Sequence, residues 1–491
     1  MSSVDLDRVR ELEARTRILH PGLASRRDLL ALVDDHVQRW LERLSDDLPG
    51  YGPDGQTAVD ALQDAPITEH PRPPEEVLEI VGRGVDHVGV NESSGSFFGY
   101  IPGSGLYFGA LADYHAAVVN RYAGVYYAAP GAVRLARTCI EWLAEVLGYP
   151  ADCGGDITSG GSIANLSALV TARDACGLRS EEFAESVIYL SSQTHHAVDK
   201  AIRIAGLGDA QRRLVPLDGR YRMRADALAR LVDEDRRAGL RPFLVVASAG
   251  ATDTGAVDPL DAIADVCEQR SLWFHVDAAY GGAFALTVDG ASRLRGIARS
   301  DSVVVDPHKG FFLPFGTGVV LVRDRMHMAR AFAGSAAYLE DAMDSEPDVV
   351  ASPAELSPEL TRPFRALRWW LSLQLAGVDA FRAALDEKLL LARYAHDRIG
   401  ALDGFEVGPE PDLSVFTFRH VANGDPDAVN RALVDAIHTD GRIYVSATVL
   451  DDRYTPRFAV LNCRTHLAEV DRAVDVIAEL AARVNGSLHD R

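Results

Sequence analysis

Lysine is scarce in this 491-residue chain, whose lysines and arginines together number 50. Only Lys200, Lys309 and Lys388 are lysine. Because arginine does not deprotonate near neutral pH, a reaction that needs a nucleophilic amine has three candidates. Lys200 and Lys388 lie in helical patterns, which predicts that both face solvent. Lys309 differs, since it follows a buried strand pattern and a Pro turn, where the edge of a sheet presents ligand groups.

Paired cysteines, metal-binding spacings, basic charge and long apolar runs are also missing. The five cysteines are scattered without a C-x-x-C pair, which indicates a reducing compartment and neither a disulfide frame nor a zinc site. The net charge of −21 argues against a nucleic-acid partner, because such a partner requires a basic face. No uncharged apolar run reaches the roughly 18 residues of a membrane span, and residues 1–17 are too polar for a secretory signal. We therefore expect a cytoplasmic protein without metal, nucleic acid or membrane segment.

Short apolar runs alternate with helical patterns between about residues 90 and 330. The strand candidates are Val187–Leu190, Phe243–Ala247, Leu272–Val276, Ser302–Val305 and Val319–Val322. This alternation predicts an α/β fold with a mostly parallel sheet, whose ligands lie beyond the carboxyl ends of its strands. We expect an N-terminal helical dimerisation segment over residues 1–85, a large α/β domain over 86–365 and a smaller C-terminal α+β domain over 366–491.

Two strand ends and one loop carry groups suited to a phosphorylated pyridine ring. Asp277 ends a buried run, and a carboxylate beside an amine suits a protonated ring nitrogen. The run Thr-Ser-Gly-Gly-Ser162 opens a helix, where free backbone amides favour a phosphate dianion. This run has neither the P-loop pattern nor the dinucleotide glycine pattern, which disfavours an NTPase or a dehydrogenase. His195 and His196 follow another strand, and one of them is able to stack on a ring or move a proton.

The segments TSGGSIANLSAL, SSQTHHAVDKA, HVDAAYGG and DPHKG, in this order, resemble the group II pyridoxal-phosphate (PLP) decarboxylases, which include the aromatic-L-amino-acid and glutamate decarboxylases. The resemblance spans roughly residues 85–480. It implies PLP as cofactor, a homodimer, and the PLP-dependent transferase fold type I with a mostly parallel seven-stranded sheet. The cofactor contacts that it implies are Gly160, Gly161, Ser162, His195, Thr252, Asp277, Ala279, His308 and Lys309.

The same resemblance assigns the reaction. Lys309 is expected to hold PLP as an imine and Asp277 to meet the ring nitrogen, while Tyr338 or His195 returns a proton to the substrate. The implied substrate contacts are Phe98, Tyr100, Pro102 and Arg457. We expect an L-amino acid with an aromatic or apolar side chain to give an amine and CO2. Oxidative deamination to an aldehyde, or another PLP lyase or aldolase reaction at Cα, stays open, since GFFLPFGTG after Lys309 departs from the aromatic decarboxylases.

Overall fold

The structure, a computed structural model, describes residues 4–45, 49–86, 88–101, 103–334, 352–421 and 425–489. Its strands are β1 Tyr51–Gly52, β2 Gly89–Val90, β3 Phe97–Phe98, β4 Gly154–Thr158, β5 Ser186–Leu190, β6 Gln211–Leu214, β7 Arg241–Ser248, β8 Trp273–Asp277, β9 Ser302–Val305, β10 Gly318–Val322, β11 Phe405–Val407, β12 Val415–His420, β13 Tyr444–Leu450 and β14 Arg453–Ala459. Its helices are α1 Leu6–Thr16, α2 Leu23–Ser45, α3 Gly55–Gln63, α4 Pro74–Val81, α5 Tyr107–Val119, α6 Pro130–Leu147, α7 Gly161–Ala175, α8 His196–Ile204, α9 Ala225–Arg237, α10 Leu260–Gln269, α11 Val288–Arg293, α12 Pro307–Gly310, α13 Arg325–Phe332, α14 Ala366–Ala376, α15 Val378–Gly400, α16 Pro426–Asp440 and α17 Leu467–His489. Within these ranges, no helix combines the length and apolar character needed to cross a bilayer.

The described residues form a seven-stranded sheet with the strand order β4-β10-β9-β8-β7-β5-β6. Strand β10 runs antiparallel to both β4 and β9, whereas the other pairs are parallel. The prediction of a mostly parallel seven-stranded sheet is therefore confirmed. The sequence patterns did not reveal β4 or β6, because β4 begins with two glycines and β6 is a polar edge strand, Gln-Arg-Arg-Leu, with alternating exposure.

The smaller C-terminal sheet has the order β11-β12-β14-β13-β3. Strand β3 pairs in parallel with β13, with Phe97 opposite Tyr444 and Phe98 opposite Val445. The predicted assignment of all of residues 86–365 to the large domain is therefore wrong for β3, which completes the small domain's sheet. No local pattern signals this pairing, since the partner strand lies near the other end of the chain.

The N-terminal segment, expected to be helical, begins with α1 and α2, which α3 and α4 follow. Within the described residues, α1 buries none of its side chains. Apolar residues on both helices face solvent in the single chain, among them Leu6, Val9, Leu12, Leu29, Leu30 and Val33. An isolated helix as short as α1 is marginally stable in water, so these apolar faces call for a further packing partner.

Lys388 corrects one expectation from the sequence. Its side chain is fully buried, and Nζ donates to Glu387 Oε2 at 2.7 Å and to the Thr465 carbonyl at 2.5 Å. Burial lowers the pKa of Lys388, while Glu387 opposes this effect. The prediction that this lysine faces solvent is wrong, because the segment before α17 covers it. Lys200 is exposed, as predicted.

Candidate active site

Five loops meet at one edge of the large sheet. They follow β4, β5, β7, β8 and β9, whose carboxyl ends share this edge because the five strands run in the same direction. The loops enclose a cavity of about 340 Å³. The residues predicted as cofactor contacts all line it, namely Gly160, Gly161, Ser162, His195, Thr252, Asp277, Ala279, His308 and Lys309. Parallel topology thus brings together side chains that are far apart in the sequence.

Lys309 lies on α12, directly after β9, and pairs with a buried carboxylate. Its Nζ is 3.1 Å from Asp306 Oδ2, and Asp306 is only 2% exposed. Among the described residues, the other oxygen, Asp306 Oδ1, has no hydrogen-bond partner. Sequence reasoning missed Asp306, although the run Asp-Pro-His-Lys places it one helical turn before the lysine. The ion pair with Asp306 fixes the position of the Lys309 amine at the cavity.

Asp277 ends β8 and points into the same cavity. Its Oδ2 accepts a hydrogen bond from Asn165 Nδ2 at 3.2 Å, and its Oδ1 accepts from the backbone amide of Ala279 at 3.1 Å. These donors on both oxygens fix the plane of the carboxylate. The small Ala279 side chain beside it also lines the cavity, which leaves room for a flat ring.

The loop after β4 leaves the first turn of α7 open. Gly160 has φ 150° and ψ 175°, a backbone conformation that essentially only glycine adopts. A Cβ on Gly161 would lie 2.8 Å from Asp306 Oδ2, so this position has no space for a side chain. Within the described residues, no side chain caps α7. Its first amides and the positive end of its helix dipole are therefore available to an anion.

His308 and His195 stand at two sides of the cavity. His308 Nδ1 donates to the Thr317 carbonyl at 2.6 Å, whereas His195 Nδ1 accepts from the Ala197 amide at 3.3 Å. Burial lowers the pKa of both histidines, and Asp277 partly opposes the effect at His195. A neutral His195 that accepts at Nδ1 carries its proton on Nε2. This bond also fixes the ring at the beginning of α8.

These groups fit pyridoxal phosphate. Lys309 supplies an amine for the aldehyde, Asp277 supplies a carboxylate for the ring nitrogen, and the open turn at Gly161 supplies amides for the phosphate.

The conserved domain of pyridoxal-dependent decarboxylases matches residues 58–421. The chain belongs to this family. The aromatic-L-amino-acid decarboxylase of Bacillus atrophaeus is 34% identical to it over 424 residues, which cover 85% of this chain and 88% of that protein. Phenylacetaldehyde synthase of Arabidopsis thaliana is 29% identical over 84% of this chain and 87% of that protein. The solved structure of Oryza sativa TDC with PLP and tryptamine matches with a TM-score of 0.88 and 26% identity, covering 94% of this chain and 99% of that one.

This decarboxylase is therefore a PLP-dependent carboxy-lyase that acts on an amino acid. Its predicted cofactor contacts line one cavity, whereas the predicted substrate contacts Phe98, Tyr100 and Arg457 lie outside that lining. Arg457 is almost fully buried and lies outside the lining of the cofactor cavity. Its Nε donates to the Asp253 carbonyl at 2.9 Å, its Nη1 donates to Ser446 Oγ at 2.7 Å, and its Nη2 donates to the Thr252 carbonyl. In the decarboxylase, Arg457 thus ties the small domain to the loop that follows β7.

Phe98 and Tyr100 have different environments in the decarboxylase. Phe98 is 0% exposed and stacks on Phe458 at 4.4 Å between ring centroids. Phe98 is thus part of the small domain's core, and its contact with the substrate stays a prediction. Tyr100 is 51% exposed, has a positive φ of 41° and receives a hydrogen bond from the Tyr444 hydroxyl at 3.0 Å. A positive φ on a tyrosine is uncommon and is typical of functional sites.

Two predicted residues, Tyr338 and Pro102, lie outside the described residues. Sequence reasoning also missed Asn165, which donates a hydrogen bond to Asp277, and His275, which donates one to Asn165. The signal was present in the motifs, because His275 stands two residues before Asp277 on one face of a strand.

Proposed function

We propose that this enzyme decarboxylates an aromatic L-amino acid to the corresponding amine. The observation that carries the proposal is the convergence of Lys309, Asp277 and His195 on one cavity. The substrate class is supported by the names of relatives that align over most of the chain, including the Bacillus atrophaeus aromatic-L-amino-acid decarboxylase. The half-exposed Tyr100, next to the domain boundary, supplies an aromatic surface suited to such a side chain.

Each residue of the cavity has a distinct part in this proposal. Bound PLP supplies an electron-accepting ring that stabilises negative charge at the substrate's Cα after the carboxylate leaves. Lys309 Nζ acts as the amine, and its ion pair with Asp306 Oδ2, at 3.1 Å, holds it at the cavity. Asp277 holds a proton on the ring nitrogen, which increases the electron demand of the ring.

Proton return to Cα is assigned to His195 or Tyr338. The assignment to His195 is supported by its hydrogen bond, because Nδ1 accepts from the Ala197 amide and Nε2–H remains as a proton donor. The proposal for Tyr338 rests on the sequence resemblance, in which a loop tyrosine at this spacing protonates the substrate.

We also propose a homodimer in the cytoplasm. The dimer is supported by the exposed apolar faces of α1 and α2, which a second copy of the chain would cover. The location is supported by five cysteines without a disulfide between them.

Substrate and product are tested together by incubating the PLP-loaded enzyme with tyrosine, tryptophan, phenylalanine, glutamate and valine. CO2, amine, aldehyde and peroxide are measured for each amino acid. We expect CO2 and amine in equal amounts from an aromatic L-amino acid and from no D-enantiomer. Release from glutamate or valine alone would refute the aromatic substrate, and aldehyde with peroxide would refute the amine product.

Lys309 is tested by borohydride reduction of the loaded enzyme followed by peptide mapping. The label should appear on Lys309, and Lys200 is the control for an exposed amine. Lys309→Ala should lose turnover by several orders of magnitude and lose the label, because no other amine lies at the cavity among the described residues. A label on Lys200 or Lys388 would refute the assignment.

The dimer is tested by light scattering of the full chain and of the variants Val9→Glu and Leu12→Glu. We expect twice the chain mass for the wild type and dissociation or aggregation for the variants, since a buried charge opposes packing of α1. Val288→Glu, at an exposed apolar residue on α11, is the matched control. A wild-type monomer would refute the proposal.

A further inference from the structure

A chain of buried hydrogen bonds extends behind Asp277, away from the cavity. Asn165 Nδ2 donates to Asp277 Oδ2 at 3.2 Å, and Asn165 Oδ1 lies 2.8 Å from His275 Nε2. On its other side, His275 Nδ1 lies 2.9 Å from Ser302 Oγ, which in turn lies 2.9 Å from Trp273 Nε1. All five residues are buried.

The secondary structure explains how these residues meet. Trp273, His275 and Asp277 occupy alternate positions of β8, so their side chains share one face of the sheet. Ser302 begins β9 and is the register partner of His275. Asn165 comes from α7, which packs on the same face.

The direction of each hydrogen bond follows from the chemistry of the partners. Asn165 Nδ2 faces two groups that only accept, the Asp277 carboxylate and the Gly161 carbonyl at 2.9 Å, which fixes the orientation of the amide. Asn165 Oδ1 only accepts, so His275 Nε2 carries a proton. Burial lowers the pKa of His275 to about 4, so the ring is neutral near pH 7 and its Nδ1 accepts from the Ser302 hydroxyl. Trp273 donates to Ser302.

Every donor in this chain therefore points toward Asp277. Successive hydrogen bonds of the same direction polarise one another, and in a water-free interior this strengthens the last one, from Asn165 to the carboxylate. The network contains no formal charge besides Asp277, so its aligned donors act on this carboxylate without a second ionic group.

We propose that Asn165, His275, Ser302 and Trp273 form a relay of hydrogen bonds that holds the Asp277 carboxylate oriented toward the cofactor's ring nitrogen. These four are positioning residues, since they act through Asp277 and, apart from Asn165, do not line the cavity. The inference rests on the proposed role of Asp277, but not on the identity of the amino-acid substrate.

The relay is tested by cofactor binding rather than by turnover. Calorimetry of the cofactor-free protein compares PLP with its 1-deaza analogue, in which a C–H replaces the ring nitrogen. His275→Leu removes the donor to Asn165, and it should weaken PLP binding by roughly 2- to 10-fold, the usual effect of losing one hydrogen bond between neutral groups. Binding of the deaza analogue should not change, because the analogue makes no bond to Asp277.

His275→Gln is the matched control, since its side-chain amide is able to donate to Asn165, and it should bind PLP nearly as tightly as the wild type. Ser302→Ala lies one step further away and should weaken PLP binding by a smaller factor while sparing the analogue. If His275→Leu does not fold, Ser302→Ala and Trp273→Phe carry the same comparison.

Equal weakening of PLP and the analogue would overturn the relay, because it would show a structural role alone. Unchanged PLP affinity in His275→Leu would overturn it as well. Asp277→Ala tests the premise separately: it should abolish the preference for PLP over the analogue, and a preserved preference would show that Asp277 is not the ring partner. Failure of the aromatic substrate screen would affect none of these results.

Discussion

Acidification of the cofactor-free protein from pH 7 to pH 5 should destabilise it through His275. The ring is fully buried, and burial lowers its pKa from 6.5 to about 4. In an unfolded chain the same ring is in water, where its ordinary pKa applies. Between these two pKa values, the unfolded state binds more protons than the folded state, so the free energy of unfolding decreases as the pH falls.

The magnitude follows from the two pKa values. Each tenfold difference in proton affinity corresponds to about 1.36 kcal/mol, so His275 should reduce the free energy of unfolding by about 2 kcal/mol at pH 5 and by about 3 kcal/mol at pH 4. His275→Gln cannot take up this proton and keeps the donor to Asn165. The free energy of unfolding of this variant should therefore depend less steeply on pH.

Urea unfolding of the cofactor-free wild type and His275→Gln, at intervals from pH 7 to pH 4, measures this difference directly. Groups that titrate in both proteins cancel in the comparison. Trp273→Phe is the control, because it perturbs the same hydrogen-bond chain but retains the imidazole, and it should keep the wild-type slope. Parallel curves for the wild type and His275→Gln would refute the reasoning, since the imidazole would then have the same pKa in the folded and the unfolded state.

Three further predictions concern cofactor binding and catalysis. Gly161→Ala should weaken PLP binding by at least tenfold with little change in secondary structure, as measured by calorimetry and circular dichroism, because its Cβ would lie 2.8 Å from Asp306 Oδ2. Arg457→Met should weaken PLP binding, since it leaves the partly buried Thr252 carbonyl without this donor; a raised KM with unchanged PLP affinity would instead favour the substrate contact that the family resemblance implies for Arg457. Tyr338→Phe should retain PLP but lose roughly 10²–10⁴-fold in amine formation and shift product toward aldehyde, and unchanged amine yield in product analysis would exclude this tyrosine as the proton donor.

The sequence was sufficient for the fold class, and the residues that it predicts as cofactor contacts line one cavity. Buried strands give continuous apolar runs, and the loops that follow parallel strands meet at one edge, so Asp277 and Lys309 were expected together before any coordinates. The scarcity of lysine reduced the choice of amine further. These inferences succeed because they depend on local pattern and on a general property of parallel sheets.

Tertiary structure decided what depends on distant partners. The pairing of Phe97–Phe98 with β13 and the burial of Phe98 follow from contacts near the other end of the chain. The helix that contains Lys388 has a pattern equally consistent with exposure, and only the covering segment around Thr465 buries the amine.

The same distinction applies to the active site. The motifs predict that Asp277 meets a ring nitrogen, but the chain from Trp273 through Ser302 and His275 to Asn165 requires the register of two strands and the position of one helix. Residue type alone does not fix the proton on a histidine. The buried partners on both sides of His275 fix the position of its proton, because only one arrangement of protons satisfies all the hydrogen bonds.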